Sequence, residues 1–169
     1  MFELKISNIY EALQLSQQWA THTISLLDPN ISSRIMKLPV ASKKGLVQRY
    51  YFSDICRERN FALSSDKPKL ASSKQILDIL EFTAPLQSED KLLVHCHAGI
   101  SRSTAVACGV LCQHGLHPNE SIKYILSIRP QALPNKHVLT LFDDILRLGG
   151  SLITAGTEEV DKFYRNRFF

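Results

Sequence analysis

A cysteine and an arginine separated by five residues are the side chains of this sequence best suited to do chemistry. Cys96 comes just after the apolar run Leu92-Leu93-Val94 and His95, and Arg102 opens a stretch with helical spacing. A turn from a strand through a short loop into a helix directs consecutive backbone N–H groups at one point, where the helix N-terminus adds partial positive charge. A tetrahedral oxyanion fits there, with the cysteine beneath its central atom and the arginine gripping two oxygens. The spacing therefore predicts nucleophilic attack by a cysteine on a phosphate ester.

The composition is that of one ordinary globular domain spanning residues 1–169. Of these residues 44% are hydrophobic and 21% are charged, and the formal net charge is +4. A chain of this length buries a sufficient core without disulfides, and its cysteines do not form the pattern of a secreted framework. The basic residues are scattered, and no apolar run is long enough to cross a bilayer. We therefore expect a cytoplasmic protein that binds neither nucleic acid nor membrane, in a compartment reducing enough for a thiolate nucleophile.

Strand patterns interspersed with helical ones extend up to residue 94, and only helices follow. Strand-like patterns cover residues 4–9, 23–27, 34–40, 48–53 and 91–94. Helical spacing covers residues 10–20, 73–82 and 103–114, a segment from Pro118, a segment from Asn135 to Gly149, and residues 158–165. This order predicts a single α/β domain with a central, mostly parallel β-sheet of four to five strands flanked by helices. In such sheets ligands bind beyond the carboxyl ends of the strands, where Cys96 falls.

The segment around Cys96 resembles a known signature. Residues 95–103 match the His-Cys-x5-Arg-Ser/Thr pattern of the protein tyrosine phosphatases, and Cys-His-Ala-Gly-Ile-Ser-Arg-Ser-Thr is similar to the dual-specificity subgroup in particular. Residues 129–135 resemble the Arg-Pro-x-Ala-x-Pro-Asn segment of the same subgroup, and the compact length and the Gly-Gly pair at 149–150 resemble its small bacterial members. The resemblance implies a dual-specificity-phosphatase-like domain with a phosphate-binding loop between the central strand and a helix.

The resemblance also implies a role for each residue of that loop. Cys96 is the expected nucleophile, since a helix N-terminus and a nearby arginine favour the thiolate. Arg102 is expected to bind the phosphoryl oxygens and to stabilise the transition state. Gly99 is expected to supply a backbone conformation that other residues resist. Phosphate, or sulfate in its place, is expected in a cradle made by the backbone N–H groups of His97, Ala98, Gly99, Ile100, Ser101 and Arg102.

Residues next to the loop have supporting roles in this interpretation. Ser103 is expected to hydrogen-bond the cysteine sulfur and ease its departure, and a simple helix-start serine is the alternative. His95 and Asn135 are expected to orient the loop, and Arg129 to form a structural ion pair. The two histidines beside Cys96 lack further ligands at a suitable spacing, so no metal site and no cofactor are expected.

The general acid is less clearly indicated by the sequence. Asp54 ends the aromatic strand pattern 48–53, and the family's acid is an aspartate on a separate loop. Asp66 is the alternative, because it lies closer to Cys96 along the chain, within the polar and irregular segment from Cys56 to Ser72. An aspartate that only caps or faces solvent is the third interpretation of either residue.

These residues together predict hydrolysis of a phosphorylated protein or a small phosphomonoester through a cysteinyl-phosphate. Specificity for phosphotyrosine alone or for phosphoserine and phosphothreonine as well stays open. One alternative is a catalytically weak phosphate-binding module, and another is a sulfurtransferase of rhodanese type, which Ser103 and residues 129–135 disfavour. A regulatory disulfide between Cys56 and Cys96 is a further hypothesis, and Cys108 and Cys112, four residues apart, are expected to pack in the core.

Overall fold

Four parallel strands, in the spatial order β1-β4-β2-β3, form the sheet of the described chain. They are β1 (Glu3–Ser7), β2 (His22–Leu27), β3 (Leu46–Tyr51) and β4 (Lys91–His95). The computed structural model describes residues 1–31, 37–43, 45–55 and 68–168. Only the backbone of Phe168 is described. The two inner strands β4 and β2 are buried on both faces, as their apolar runs require, whereas the edge strand β3 is largely exposed.

Helices flank this sheet. In the described part of the chain they are α1 (Ile9–Gln18), α2 (Ser73–Thr83), α3 (Arg102–Gln113), α4 (Pro118–Ile128), α5 (Lys136–Leu146) and α6 (Ser151–Phe168). Local sequence explains several helix starts, since Asn8 and Ser72 begin capping boxes and Pro118 occupies a first-turn position. Of the helices so described, none is both long and apolar enough to cross a membrane.

The helix that leads away from Cys96 is buried over most of its length. Every residue of α3 from Arg102 to Leu111 is buried. Gly109 leaves room for the ring of Phe142 in α5 to pack against the α3 backbone, because a Cβ atom at that position would collide with the ring. The loop between β4 and α3 is thus held at both ends by elements that are fixed in the core.

The α/β architecture predicted from the sequence is confirmed, with helices on a parallel sheet of four described strands. The predicted strand over residues 34–40 is wrong for its described part, because residues 37–40 are irregular and residues 34–36 lie outside the described chain. The carbonyl of Pro39 accepts a hydrogen bond of 2.6 Å from Arg49 Nη2, so this stretch supports β3 as a loop rather than as a strand. A proline cannot donate to a sheet ladder, which fits this role.

The predicted start of the last helix, at Glu158, is also wrong. α6 begins at Ser151, because the buried carboxylate of Asp143 accepts hydrogen bonds from the backbone N–H groups of Gly150 (2.6 Å) and Leu152 (2.7 Å). A carboxylate at a helix N-terminus satisfies donors that have no partner within the helix. This cap comes from the preceding helix, and a local pattern does not show it.

Candidate active site

The carboxyl ends of the four described strands meet at one edge of the sheet, and each strand is followed by a residue of the candidate site or its support. Asn8 follows β1, Asp28 follows β2, Phe52 follows β3 and Cys96 follows β4. In parallel sheets this edge is where ligands bind. Cys96 therefore lies just beyond the end of a central strand, at the position that the sequence predicted.

The thiol of Cys96 lies at the bottom of the loop that joins β4 to α3, a segment we call the phosphate loop (residues 96–102). The residue is 1% exposed. Its Sγ atom accepts a hydrogen bond of 3.2 Å from the backbone N–H of Gly99, and it lies 3.2 Å from Ser103 Oγ. These two contacts hold the sulfur at the bottom of the loop.

Five consecutive carbonyl groups of the phosphate loop are held by donors outside the loop cavity. Every carbonyl from His97 to Ser101 accepts a hydrogen bond from a neighbouring element. The carbonyl of His97 accepts from Ile9 N, that of Ala98 from Arg129 Nη2 and that of Gly99 from Arg129 Nε. The carbonyl of Ile100 accepts from Leu133 N and Thr104 Oγ1, and that of Ser101 accepts from Asn135 N, Thr104 Oγ1 and Ala105 N. The N–H that follows a carbonyl in a planar trans peptide points the opposite way. The loop's N–H groups are therefore turned toward the space above Cys96.

Gly99 is required by both its conformation and its surroundings. Its φ is +71°, and a Cβ atom there would lie 2.7 Å from the carbonyl of Ser7 and 2.7 Å from Arg129 Nη2. An L-residue with a side chain would combine the cost of the left-handed conformation with these collisions. The sequence-based expectation for this glycine agrees with the geometry.

Arg129 supports the phosphate loop more directly than the sequence indicated. Its Nε and Nη2 atoms donate to the carbonyls of Gly99 (3.0 Å) and Ala98 (3.2 Å), and its Nη1 atom lies 3.6 Å from Glu11 Oε2. Glu11 in turn closes the capping box of α1 with Asn8. The structural ion pair expected for Arg129 thus links the start of α1 to the loop.

Arg102 is almost fully buried, at 2% exposure. Its guanidinium contacts the residues that follow two other strands, β2 and β3. Its Nη1 atom donates to the carbonyl of Phe52 (2.8 Å) and lies 3.1 Å from Asp28 Oδ1, while its Nη2 atom donates to Asp28 Oδ2 (3.4 Å). Its Nε atom is buried and has no hydrogen-bond partner among the described residues. A buried charged donor without a partner is costly, so this atom indicates where an anion belongs.

Asp54, the expected general acid, contacts the phosphate loop through Ser101. Its Oδ1 atom accepts hydrogen bonds from Ser101 Oγ (2.6 Å) and from Asn135 Nδ2 (2.9 Å). Asn135 also caps α5 by accepting from Val138 N at 3.1 Å. The carboxylate is exposed toward solvent and fixed at one oxygen, while its other oxygen has no hydrogen-bond partner among the described residues. Asp66 and Cys56 lie outside the described residues.

His95 forms the buried floor beside Cys96. It is not exposed at all, its Nδ1 atom lies 3.4 Å from the carbonyl of Cys96, and its Nε2 atom has no hydrogen-bond partner in the described chain. Burial, together with the positive charges of Arg49 and Arg102, lowers the pKa of His95 to about 4 despite the opposing hydrogen bond with Cys96. The imidazole is therefore neutral near pH 7, and it fills buried space beside Cys96 without adding a charge.

The site brings together a buried thiol, inward-facing N–H groups, an arginine with free donors and a carboxylate. Cys96, Cys108 and Cys112 are free thiols, and the first two are buried. The residues described include no group of three His, Cys, Asp or Glu side chains placed to hold a metal ion. Two contributors escaped sequence reasoning: Asp28, which read only as part of an Asp-Pro-Asn turn, and the carbonyl of Phe52, which has no sequence signal.

Solved structures with the same fold include phosphatases and a phosphatase-like protein. The human tyrosine phosphatase-like serine/threonine/tyrosine-interacting protein is 19% identical, with a TM-score of 0.61 over 86% of this chain and 91% of that chain. PTPMT1 in complex with PI(5)P is also 19% identical, with a TM-score of 0.61 over 90% and 93%. DUSP15 is 21% identical, with a TM-score of 0.55 over 100% and 94%. By sequence, neither a family model nor a curated protein matches the chain.

Proposed function

Since the chain has the fold of the dual-specificity phosphatases, in the cysteine-dependent protein tyrosine phosphatase superfamily, we propose that it hydrolyses phosphorylated tyrosine in proteins through a cysteinyl-phosphate. The observation that carries this proposal is the orientation of the phosphate loop, whose outward carbonyls leave the N–H groups facing a buried thiol. Small phosphomonoesters are substrates of the same site, and phosphoserine or phosphothreonine peptides test how wide its specificity is. The reducing cytoplasm is the compartment that suits such a thiol.

In the first step the Cys96 thiolate attacks phosphorus from below, in line with the leaving oxygen. The S–P bond forms while the P–O bond to the substrate breaks. The inward N–H groups and Arg102 hold the equatorial oxygens, where the charge of the transition state is greatest. Preorganised donors of this kind supply most of the rate because they need not reorganise during the reaction.

Proton transfer in this proposal belongs to Asp54. Its free oxygen protonates the leaving oxygen in the first step and takes a proton from water in the second, when water attacks the cysteinyl-phosphate. Ser101 and Asn135 position this carboxylate by holding its other oxygen. Ser103, at 3.2 Å from the sulfur, donates to the departing thiolate when the S–P bond breaks.

A phosphate-binding module without turnover is the second candidate function. It is favoured by the fixed oxygen of Asp54, because a carboxylate held by two donors also serves as a purely structural link between the phosphate loop and Asn135. In that case the loop still binds an oxyanion, but a variant lacking the Asp54 carboxylate behaves like the wild type.

The experiment is hydrolysis of para-nitrophenyl phosphate and of a phosphotyrosine peptide, in EDTA and fresh reductant. We expect turnover by the wild type and none by Cys96→Ser. Cys112→Ser is the matched control, since this half-buried thiol lies near the far end of α3 and donates to Ser121 Oγ at 3.5 Å. Asp54→Asn should lower kcat on the peptide by about a hundredfold or more.

The outcomes separate the candidates. A freshly reduced wild type that binds tungstate without turnover indicates the binding module. Turnover that persists in Cys96→Ser contradicts the cysteinyl-phosphate. Full peptide turnover by Asp54→Asn with a Cys96-dependent wild type moves the acid to another residue, and Asp66→Asn is then the variant to assay.

A further inference from the structure

The guanidinium of Arg102 is held on one of its two binding edges by a residue outside the signature. An arginine carries five N–H donors. The carboxylate of Asp28 meets both terminal nitrogens, with Oδ1 at 3.1 Å from Nη1 and Oδ2 at 3.4 Å from Nη2, and the carbonyl of Phe52 takes a further hydrogen of Nη1 at 2.8 Å. Three donors are thereby occupied, and two remain without a partner among the described residues.

The two remaining donors are adjacent and face the same way. They are the N–H of Nε, which is buried without a partner among the described residues, and the second N–H of Nη2. An arginine presents two forks, one end-on between its terminal nitrogens and one side-on between Nε and a terminal nitrogen. Asp28 fills the end-on fork, so the side-on fork is the one left for two phosphoryl oxygens.

We propose that Asp28 is a positioning residue, which fixes the guanidinium of Arg102 so that only its side-on fork meets the substrate phosphoryl group. This inference rests on the proposed function. Asp28 follows β2, on the far side of the guanidinium from the fork, and its side chain is 49% exposed whereas that of Arg102 is 3% exposed. It binds the substrate through no atom of its own and acts through the arginine.

Turnover and oxyanion binding respond differently to loss of this carboxylate. Asp28→Asn removes a negative charge near the bound oxyanion and leaves a single acceptor oxygen, which cannot fill the end-on fork of Arg102, so binding of a tetrahedral anion does not weaken. The guanidinium is then fixed less firmly, and the phosphoryl group is no longer held in the one orientation that is in line with Cys96. Because misalignment of reacting atoms is costly, kcat falls while ground-state binding persists.

The test measures both quantities in one set of variants. We expect Asp28→Asn to lower kcat on para-nitrophenyl phosphate by tenfold or more, with a tungstate inhibition constant equal to or lower than that of the wild type. Asp28→Glu keeps the charge on a longer side chain and should recover part of the lost kcat. Asp161→Asn is the matched control, because Asp161 lies 3.9 Å from Arg165 on an exposed face of α6.

Three results would overturn the inference. One is wild-type kcat in Asp28→Asn. Another is parallel loss of kcat and tungstate binding in both Asp28 variants, since that pattern indicates a general support of the loop. The last is an equal loss in Asp161→Asn. A wild type that does not hydrolyse para-nitrophenyl phosphate contradicts the proposed function itself, and this result is seen before any variant is assayed.

Discussion

Two helices of this molecule, α3 and α6, begin in opposite ways. The N-terminus of α6 is closed by the chain itself, since both oxygens of Asp143 accept from backbone N–H groups there, and Asp143 is buried. The residue at the N-cap position of α3 is Ser101, whose side chain makes no cap hydrogen bond and donates to Asp54 instead. The start of α6 therefore binds a carboxylate of the protein itself, whereas the start of α3 has no side-chain cap and is open to an anion from solution.

The difference shows how a helix terminus is assigned to stability or to binding. Every helix start leaves backbone donors without partners inside the helix. At α6 a carboxylate from α5 satisfies them, and this ties the last helix to the core. At α3 no side chain caps these donors, the N–H of Gly99 just before the helix donates to the Cys96 sulfur, and the surrounding elements hold the loop's carbonyls. Such an open end costs stability in the free protein and leaves donors ready for an oxyanion.

The largest effect should come from replacing Arg102 at the uncapped N-terminus of α3, which we call the open end. Arg102→Lys keeps a positive charge but cannot meet Asp28, the carbonyl of Phe52 and two phosphoryl oxygens at once. We expect kcat/KM on para-nitrophenyl phosphate to fall by about a hundredfold to a thousandfold. Arg165→Lys, on the exposed face of α6, is the control. If Arg102→Lys stayed within threefold of the wild type, the open end would not depend on the fork.

A second prediction concerns the neutral histidine under the open end. The pKa of His95 is lowered from 6.5 to about 4 by burial, so between these values the unfolded chain binds a proton that the folded chain does not. Its contribution to stability is complete above pH 6.5 and is lost as the pH falls toward 4. The loss is about 3 kcal/mol of unfolding free energy.

Urea unfolding between pH 7 and pH 4 measures this loss. The variant His95→Asn, which does not titrate at that position, should show a correspondingly shallower decline than the wild type. Identical slopes in the two proteins would mean that His95 is protonated in the folded state, and the floor of the open end would then be charged.

The smallest effect should come from removing the carboxylate that caps the N-terminus of α6. Asp143→Ala leaves the N–H groups of Gly150 and Leu152 without their acceptor, and we expect a loss of about 2 kcal/mol of unfolding free energy. At temperatures well below unfolding, kcat should remain that of the wild type. Asp144→Ala, at the adjacent exposed position, is the matched control. A large fall in kcat without a fall in stability would abolish the distinction between the two helix starts.

The parts of the site that the sequence predicted are those built from neighbouring residues. The cysteine, the glycine with positive φ and the arginine lie within one strand-loop-helix unit, so their spacing already implies their arrangement. Asn135 was predicted because a helix cap has a local signature. The strand expected over residues 34–40 and the start of α6 at Glu158 were wrong, since hydrophobic pattern alone does not show which carbonyl or carboxylate a distant element provides.

By itself, the sequence determined the alternation of strands and helices, the buried central strand and the loop from Cys96 to Arg102, because each depends on residues close together in the chain. Tertiary structure decided which groups surround that loop. Asp28 is 74 residues from Arg102, the carbonyl of Phe52 is 50 residues from it, and Arg129 is 30 residues from Gly99. Such contacts arise only when parallel strands bring their carboxyl ends to one edge, and no local pattern encodes which side chain arrives there.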